Sequence, residues 1–283
     1  MQQWAFVDGF RQSRDWIPQE VDHWIWDTGE PIDLDEHGWV NSLAKGQAAG
    51  TLIFDGGNYP AGEYALLYEG TGAFDIQWDA VVTDEQPERL VLDVTPDAGI
   101  YLKLIDTDPA DPVRDIRLVM PGFEGVFEDA PFHPLFLERL APFAALRFMD
   151  WGRTNNSALA TWSDRPVLDD ANQSRDEGVA LELMIQLANT LHADPWFCMP
   201  HLADDDFVTQ FAQTVRDQLD PGLVPHVEYS NEVWNGLFPR PPTPRPRAST
   251  SASPPTPPRP GRVTTAAGPA GSSSCGSRST AAT

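Results

Sequence analysis

The sequence predicts an α/β fold that consists of part of a (β/α)8 barrel, an inserted antiparallel β-rich region and a disordered C-terminal tail. Three observations predict it. Short apolar segments separated by turn residues occupy residues 26–125. Apolar segments alternate with helical apolar spacing in residues 126–239. Residues 240–283 contain no acidic or aromatic residue and no Leu, Ile, Met or Lys, and this composition cannot bury a core.

Residues 1–25 supply the first predicted barrel strand, Trp4–Val7, and the loop that follows it. Turn residues then divide residues 26–125 into short strands, a spacing that is typical of an antiparallel sandwich-like unit. The predicted strands of this inserted region are Thr51–Phe54, Tyr64–Tyr68, Phe74–Val82, Leu90–Val94, Ile100–Ile105 and Ile116–Met120.

Residues 126–239 predict strands and helices in alternation. The predicted strands are Leu146–Trp151, Pro195–Leu202 and a strand that ends near Tyr229. Helical spacing of apolar residues predicts helices over Val179–Leu191 and after Asp204, which is an N-cap candidate. Consecutive strands joined by helices predict parallel pairing with right-handed crossovers.

Polar residues at the ends of these three strands favour a barrel over an open doubly wound sheet, which has the same element order. The polar ends are Asp150 with Trp151, then His201, then Asn231 with Glu232. The strand ends of a barrel converge on one mouth, where catalytic groups lie. No glycine-rich dinucleotide or phosphate loop follows any of these strands.

Composition narrows the classes of partner. The formal net charge of −23 would repel nucleic acid and anionic membranes, whereas a neutral polysaccharide is compatible with it. Ten tryptophans offer flat faces that stack on sugars or fill cores.

No apolar run is long enough to span a membrane, and no export signal follows Met1. Two cysteines give no disulfide framework, so the redox compartment is not predicted. The oligomeric state is not predicted either.

The segment His226–Gly236 places a carboxylic acid at a strand tip. We expect Tyr229 and Trp234 to desolvate Glu232 and to raise its pKa, which would suit a general acid. Asn231 would then hydrogen-bond a substrate hydroxyl. No metal or cofactor is expected, because the histidines lack a spacing that places two of them on one helix face.

Residues Tyr229–Asn235 resemble the end of the fourth barrel strand in the clan of retaining glycoside hydrolases with a (β/α)8 fold. The resemblance, which covers about residues 1–239, implies that Glu232 is the acid/base. It also implies substrate-shaping roles for Arg147, as the strand-two arginine, and for His201, as the strand-three histidine. The residues that precede His201 resemble large bacterial secreted proteins, some of them labelled cellulose-binding.

The resemblance implies a secreted or cell-surface protein that acts on a polysaccharide or oligosaccharide. Trp151, Trp234 and Tyr229 complete the predicted substrate-contacting set, with stacking on sugars as the physical reason. The alternative for Arg147 is a structural ion pair, and for His201 a hydrogen-bonded structural histidine. The alternative for the whole chain is a non-catalytic carbohydrate-binding or cell-surface protein, and a third possibility is the nonfunctional product of a disrupted gene.

The tail, residues 240–283, has two interpretations. It is a proline-rich linker, or it is translated out of frame, since a shifted frame would convert serine codons such as those of Ser272–Ser274 into codons for apolar residues. Retaining hydrolysis needs a second carboxylate about 5 Å from the first. The resemblance places that nucleophile on the seventh strand, and no seventh strand precedes the tail. We therefore expect the chain as given to be a truncated, inactive fragment.

Overall fold

The structure, a computed structural model, describes residues 4–231. Short 3-10 helices span Gly9–Gln12 and Trp162–Asp164, and three α-helices are described: α1 (Pro134–Leu140), α2 (Leu181–Leu191) and α3 (Asp205–Gln218). The described strands are β1 (Ile17–Glu20), β2 (Asp33–Leu34), β3 (Val40–Ser42), β4 (Gln47–Ile53), β5 (Gly62–Glu69), β6 (Gly72–Trp78), β7 (Ala80–Gln86), β8 (Arg89–Val94), β9 (Ile100–Thr107), β10 (Arg114–Val119), β11 (Ala145–Arg147), β12 (Asp194–Met199) and β13 (His226–Tyr229).

Two four-stranded antiparallel sheets enclose the larger core. One has the order β1-β4-β9-β6 and the other β10-β5-β8-β7. Ile53 and Leu102 from the first sheet join Leu66, Leu92 and Ile116 from the second in one buried cluster. Strand alternation explains this arrangement, because every second side chain of a half-buried strand faces the core.

The chain passes from one sheet to the other between Trp78 and Asp79. The sequence predicts one strand over Phe74–Val82, whereas the structure divides this segment into β6 and β7, which belong to different sheets. Trp78 has a φ of 68°. The Asp79 carboxylate accepts backbone hydrogen bonds from Ala98 and Gly99, each at 2.8 Å, and thereby holds the crossing point against the turn before β9.

A three-stranded parallel sheet, β11-β12-β13, forms a second unit with helices α2 and α3. Phe148 and Phe197 share a buried cluster with Ile185 of α2 and Val215 of α3. Helix α3 begins at the predicted position, where the Asp204 side chain accepts a hydrogen bond from the backbone of Phe207 at 2.7 Å. The helices therefore cover one face of this sheet.

The predicted (β/α)8 barrel is wrong. Within residues 4–231 most strands lie in antiparallel sheets, and strands alternate with helices only from β11 to β13. The segment Trp4–Val7 is not a barrel strand: Phe6 forms an antiparallel bridge with Phe132, and Asp8 forms one with Val119. The backbone groups of this segment are thus satisfied by residues that flank the antiparallel sheets. Glu232, Trp234 and the tail lie outside the described residues.

Candidate functional site

The face of the parallel sheet that α2 and α3 do not cover carries polar and aromatic side chains. In the parallel register, Arg147 lies opposite Trp196, and Cys198 lies opposite Glu228. Because side chains alternate along a strand, these four residues share one face. Arg147 and Trp196 are exposed, Glu228 is half-buried and Cys198 is buried. A polar patch therefore crosses all three strands.

Glu228 is the centre of the contacts on this face. Its Oε2 accepts hydrogen bonds from Arg147 Nη2 at 2.8 Å and from Trp196 Nε1 at 3.1 Å. The Cys198 Sγ lies 3.6 Å from the same oxygen. The Arg147 guanidinium also lies over the Trp196 ring, 5.4 Å from its centroid, within cation–π range. These contacts fix the orientation of an arginine, a carboxylate and a tryptophan beside one another.

Arg147 connects this face to the carboxyl end of the sheet. Its Nη2 donates to Asn231 Oδ1 at 2.8 Å, and Asn231 Nδ2 donates to Asn155 Oδ1 at 3.0 Å. Ser230 has a φ of 57° and donates its backbone N–H to Met199, so the chain turns immediately after β13. That turn buries Asn231, which is 5% exposed. Arg147, Glu228, Asn231 and Asn155 form what we call the strand-tip network.

The charge states on this face follow from these contacts. The hydrogen bond from Arg147 lowers the pKa of Glu228, and the same bond raises the pKa of Arg147. Glu228 is therefore ionised at neutral pH, when it accepts hydrogen bonds and has no proton to give. Burial raises the pKa of Cys198 to about 11, so its thiol is neutral. A neutral thiol is a poor nucleophile.

A cleft of about 540 Å³ adjoins the strand-tip network. Its polar lining includes Asp150, Arg153, Asn155 and Gln173, and the Trp151 ring forms part of its apolar wall. Asn155 belongs to both the cleft and the network. The volume lies within the range that is usual for small-molecule sites, and an apolar wall with a few fixed polar groups is their common chemistry.

Trp151 is held by ring packing. It stacks on Phe6 at 5.7 Å and on Phe136 at 6.1 Å between ring centroids, and it also contacts Phe148. It belongs to the apolar contacts around the second core cluster while remaining half-buried. The predicted substrate-contacting tryptophan is thus a rigid wall of the cleft.

The structure places the other predicted site residues in two groups. Arg147 and Asn231 lie in direct contact within the strand-tip network. Tyr229 projects to the opposite face of β13 from Glu228, and its hydroxyl donates to the backbone carbonyl of His201 at 3.1 Å. Glu232 and Trp234 lie outside residues 4–231, so their predicted roles remain predictions.

Three contributors were not predicted from the sequence: Glu228, Trp196 and Asn155. Glu228 alternates with Val227 and Tyr229, and this period-two pattern assigns it to the face opposite those two residues. Its pairing with Arg147 depends on a register across three strands, which local patterns do not contain. Asn155 lies outside the described helices and strands, in a loop with no distinctive motif.

Within residues 4–231, no group of three or more His, Cys, Asp and Glu side chains is arranged to hold a metal ion. None of the helices in that range has the length and apolar character needed to cross a bilayer. No protein-family model matches the sequence, and neither the curated proteins nor the solved structures provide a match.

Proposed function

We propose that this protein binds a neutral oligosaccharide or polysaccharide without cleaving it, on the uncovered face of the parallel sheet at the strand-tip network and in the cleft beside that network. The observation that carries the proposal is the chain of hydrogen bonds from Glu228 through Arg147 and Asn231 to Asn155, which ends in the cleft wall. Asn155 is the member of this network that lines the cleft, together with Trp151. Arg147 and Glu228 lie beside Trp196 on the uncovered face of the parallel sheet.

The chemistry of a sugar fits this arrangement. Each sugar hydroxyl both donates and accepts hydrogen bonds. An ionised carboxylate can accept from it, a guanidinium can donate to it, and an amide can do both. The apolar faces of a pyranose ring stack on an indole such as Trp151 or Trp196. The net charge of −23 favours a neutral ligand over an anionic one.

The charge state of Glu228 supports binding rather than proton transfer. A general acid needs a carboxyl with a raised pKa, and Arg147 lowers the pKa of this one. Glu228 therefore suits the role of a hydrogen-bond acceptor for sugar hydroxyls.

A second candidate function is retaining glycoside hydrolysis, and one observation favours it. Asn231, which immediately precedes the predicted acid/base Glu232, is held by Arg147 and Asn155 at the strand tip. Replacing Glu232 by Gln separates the two functions. A hydrolase loses turnover of its substrate and keeps binding, whereas a binding protein shows no turnover before or after the change.

The proposed function is tested by calorimetric titration of neutral hexasaccharides into the full chain. The panel contains hexasaccharides of glucose, xylose and mannose. The Arg147→Met variant should weaken binding of the preferred sugar at least tenfold, because it removes a charge-assisted donor and releases Glu228 and Asn231. Arg89→Met is the matched control, since Arg89 pairs with Glu124 at 2.8 Å on β8 in a similar exposed geometry. Equal affinities for the wild type and both variants would reject binding at the strand-tip network.

A further inference from the structure

The outer face of the first antiparallel sheet carries an aromatic surface that the cleft does not use. Three tryptophans, Trp24, Trp26 and Trp78, surround Tyr101, and we call these four residues the sandwich aromatic patch. Tyr101 lies between the core residues Ile100 and Leu102 on β9, so its side chain must face away from the core.

Exposure is concentrated in the tryptophans. Trp24 is 58% exposed, Trp26 is 40% exposed and Trp78 is 44% exposed, whereas Tyr101 is fully buried beneath them. The Trp78 ring stacks on Tyr101 with centroids 5.1 Å apart and 25° between the planes. Tyr101 therefore serves as the base on which the exposed rings rest.

Trp78 reaches this face through an unusual backbone. The register of β6 pairs it with Ile100, a core residue, but its φ of 68° turns the side chain to the outer face. A left-handed conformation is costly for a bulky residue, and such strain is concentrated at functional sites. The fold thus holds an exposed tryptophan on the outer face of the sheet despite this backbone cost.

The loop that carries the other two tryptophans is held in place. The Trp26 carbonyl accepts a hydrogen bond from Gln19 Nε2 at 2.9 Å, and the Val21 carbonyl accepts one from Lys103 Nζ at 3.2 Å. The Thr28 amide donates to Pro18 at 2.9 Å, which closes the loop. Ordering before binding reduces the entropy cost of capturing a ligand.

Space for Tyr101 is built into the neighbouring strand. A Cβ atom on Gly50 would lie 2.1 Å from the Tyr101 hydroxyl oxygen, so only glycine leaves room for this ring position. Asp75 and Gln77 on β6 follow the same outward alternation as Tyr101, and the Gln77 amide donates to the Asp75 carboxylate. They supply polar groups next to the aromatic rings.

We propose that the sandwich aromatic patch is a second carbohydrate-binding surface, which stacks on the pyranose rings of a neutral polysaccharide independently of the cleft. Several exposed indoles suit successive sugar rings, and the adjacent carboxylate and amide suit their hydroxyls.

Charge argues against a second copy of this chain as the occupant. The chain carries a net charge of −23, and Glu20, Asp22 and Asp27 lie in or next to the loop that carries Trp24 and Trp26, so two such faces would repel each other. The one exposed aliphatic side chain of that loop in the structure is Ile25.

The test uses the full chain and the neutral hexasaccharides of glucose, xylose and mannose. The double variant Trp24→Ala/Trp26→Ala should weaken binding at the patch at least tenfold, while Glu228→Gln leaves that binding unchanged. Phe143→Ala is the matched control, since Phe143 is an exposed aromatic residue at 59% outside both surfaces. Two stoichiometric sites in the wild type and one in each site variant would support the proposal and separate it from a failure of the cleft.

A second measurement uses the wild type, so its result does not depend on whether the double variant folds. N-bromosuccinimide oxidises exposed indoles, and mass spectrometry locates the product. Saturating hexasaccharide should slow oxidation of Trp24, Trp26 and Trp78 at least fivefold. The proposal is overturned if none of the sugars protects these residues, or if ultracentrifugation shows a dimer that the double variant abolishes.

Discussion

Arg147 and Glu228 form an ion pair at 2.8 Å across the parallel sheet, although 81 positions separate them in the chain and a complete strand, β12, lies between their own. Trp196 and Cys198 of β12 lie beneath the pair, and both contact Glu228. A long-range polar contact thus ties together the first, second and third strands of the sheet.

Replacing Arg147 by Met should destabilise the protein more than breaking a similar exposed ion pair elsewhere. Both partners are about one-third exposed, so the pair itself contributes about 0.5–1 kcal/mol. Asn231 is buried and loses its Arg147 donor, which adds about 1 kcal/mol. Urea unfolding of Arg147→Met and of the Arg89→Met control measures the difference. Equal losses would mean that the contact with Asn231 contributes nothing.

The Arg147–Glu228 pair should lose its contribution to stability in acid. Folding lowers the pKa of Glu228 below its ordinary value of 4.5, so the folded state binds the proton less readily than the unfolded state. The contribution is fully present above pH 4.5 and declines as the pH falls through the lowered pKa. The free energy of unfolding of the wild type minus that of Glu228→Gln should therefore be constant at neutral pH and shrink in acid. A difference that grows on acidification would contradict this assignment.

Cys198 should resist alkylation in the folded protein. Burial raises its pKa to about 11, so almost no thiolate is present at pH 8. In a Cys275→Ser background, iodoacetamide should label Cys198 at least tenfold more slowly in buffer than in denaturing urea, as followed by mass spectrometry. Glutathione under both conditions is the control for the reagent. Labelling at the unfolded rate would show that the thiol is accessible and ionised.

Gly50→Ala should destabilise the sandwich and disturb the aromatic patch. The new methyl group would meet the Tyr101 hydroxyl, and overpacking of this kind costs about 1–3 kcal/mol. Gly125→Ala is the control, because a Cβ there meets nothing within 4 Å. Chemical unfolding compares the two variants, and near-ultraviolet circular dichroism reports the tryptophan environment. A neutral Gly50→Ala variant with an unchanged spectrum would show that Tyr101 is not confined by this strand.

Local patterns in the sequence predict individual strands and helices better than their arrangement. The helical spacing before Leu191 and the Asp204 cap correspond to α2 and α3, because these signals lie within one turn or one helix face. The barrel prediction failed because the alternation of strands and helices constrains only how elements adjacent in sequence pack. The alternation cannot indicate that Phe6 pairs with the distant Phe132.

The candidate site was predictable only in part for a related reason. Asn231 was predicted from its position at a strand end and Arg147 from its resemblance to a strand-two arginine, whereas Glu228 enters the site through a parallel register of three strands. The sheet change at Trp78 also escapes prediction, since a continuous apolar segment carries no mark of a single left-handed residue. Side-chain partners separated by many residues are determined by tertiary packing, which period and propensity do not encode.

The most direct measurement is calorimetric titration of the wild type and of Glu228→Gln with the hexasaccharide that the wild type binds best. The substitution keeps the size of the side chain while it removes the charge that accepts hydrogen bonds from Arg147 and Trp196. We predict saturable binding to the wild type and at least tenfold weaker binding at the strand-tip network of the variant. A wild type that binds none of the neutral sugars, or a variant with unchanged affinity at every site, would contradict this prediction.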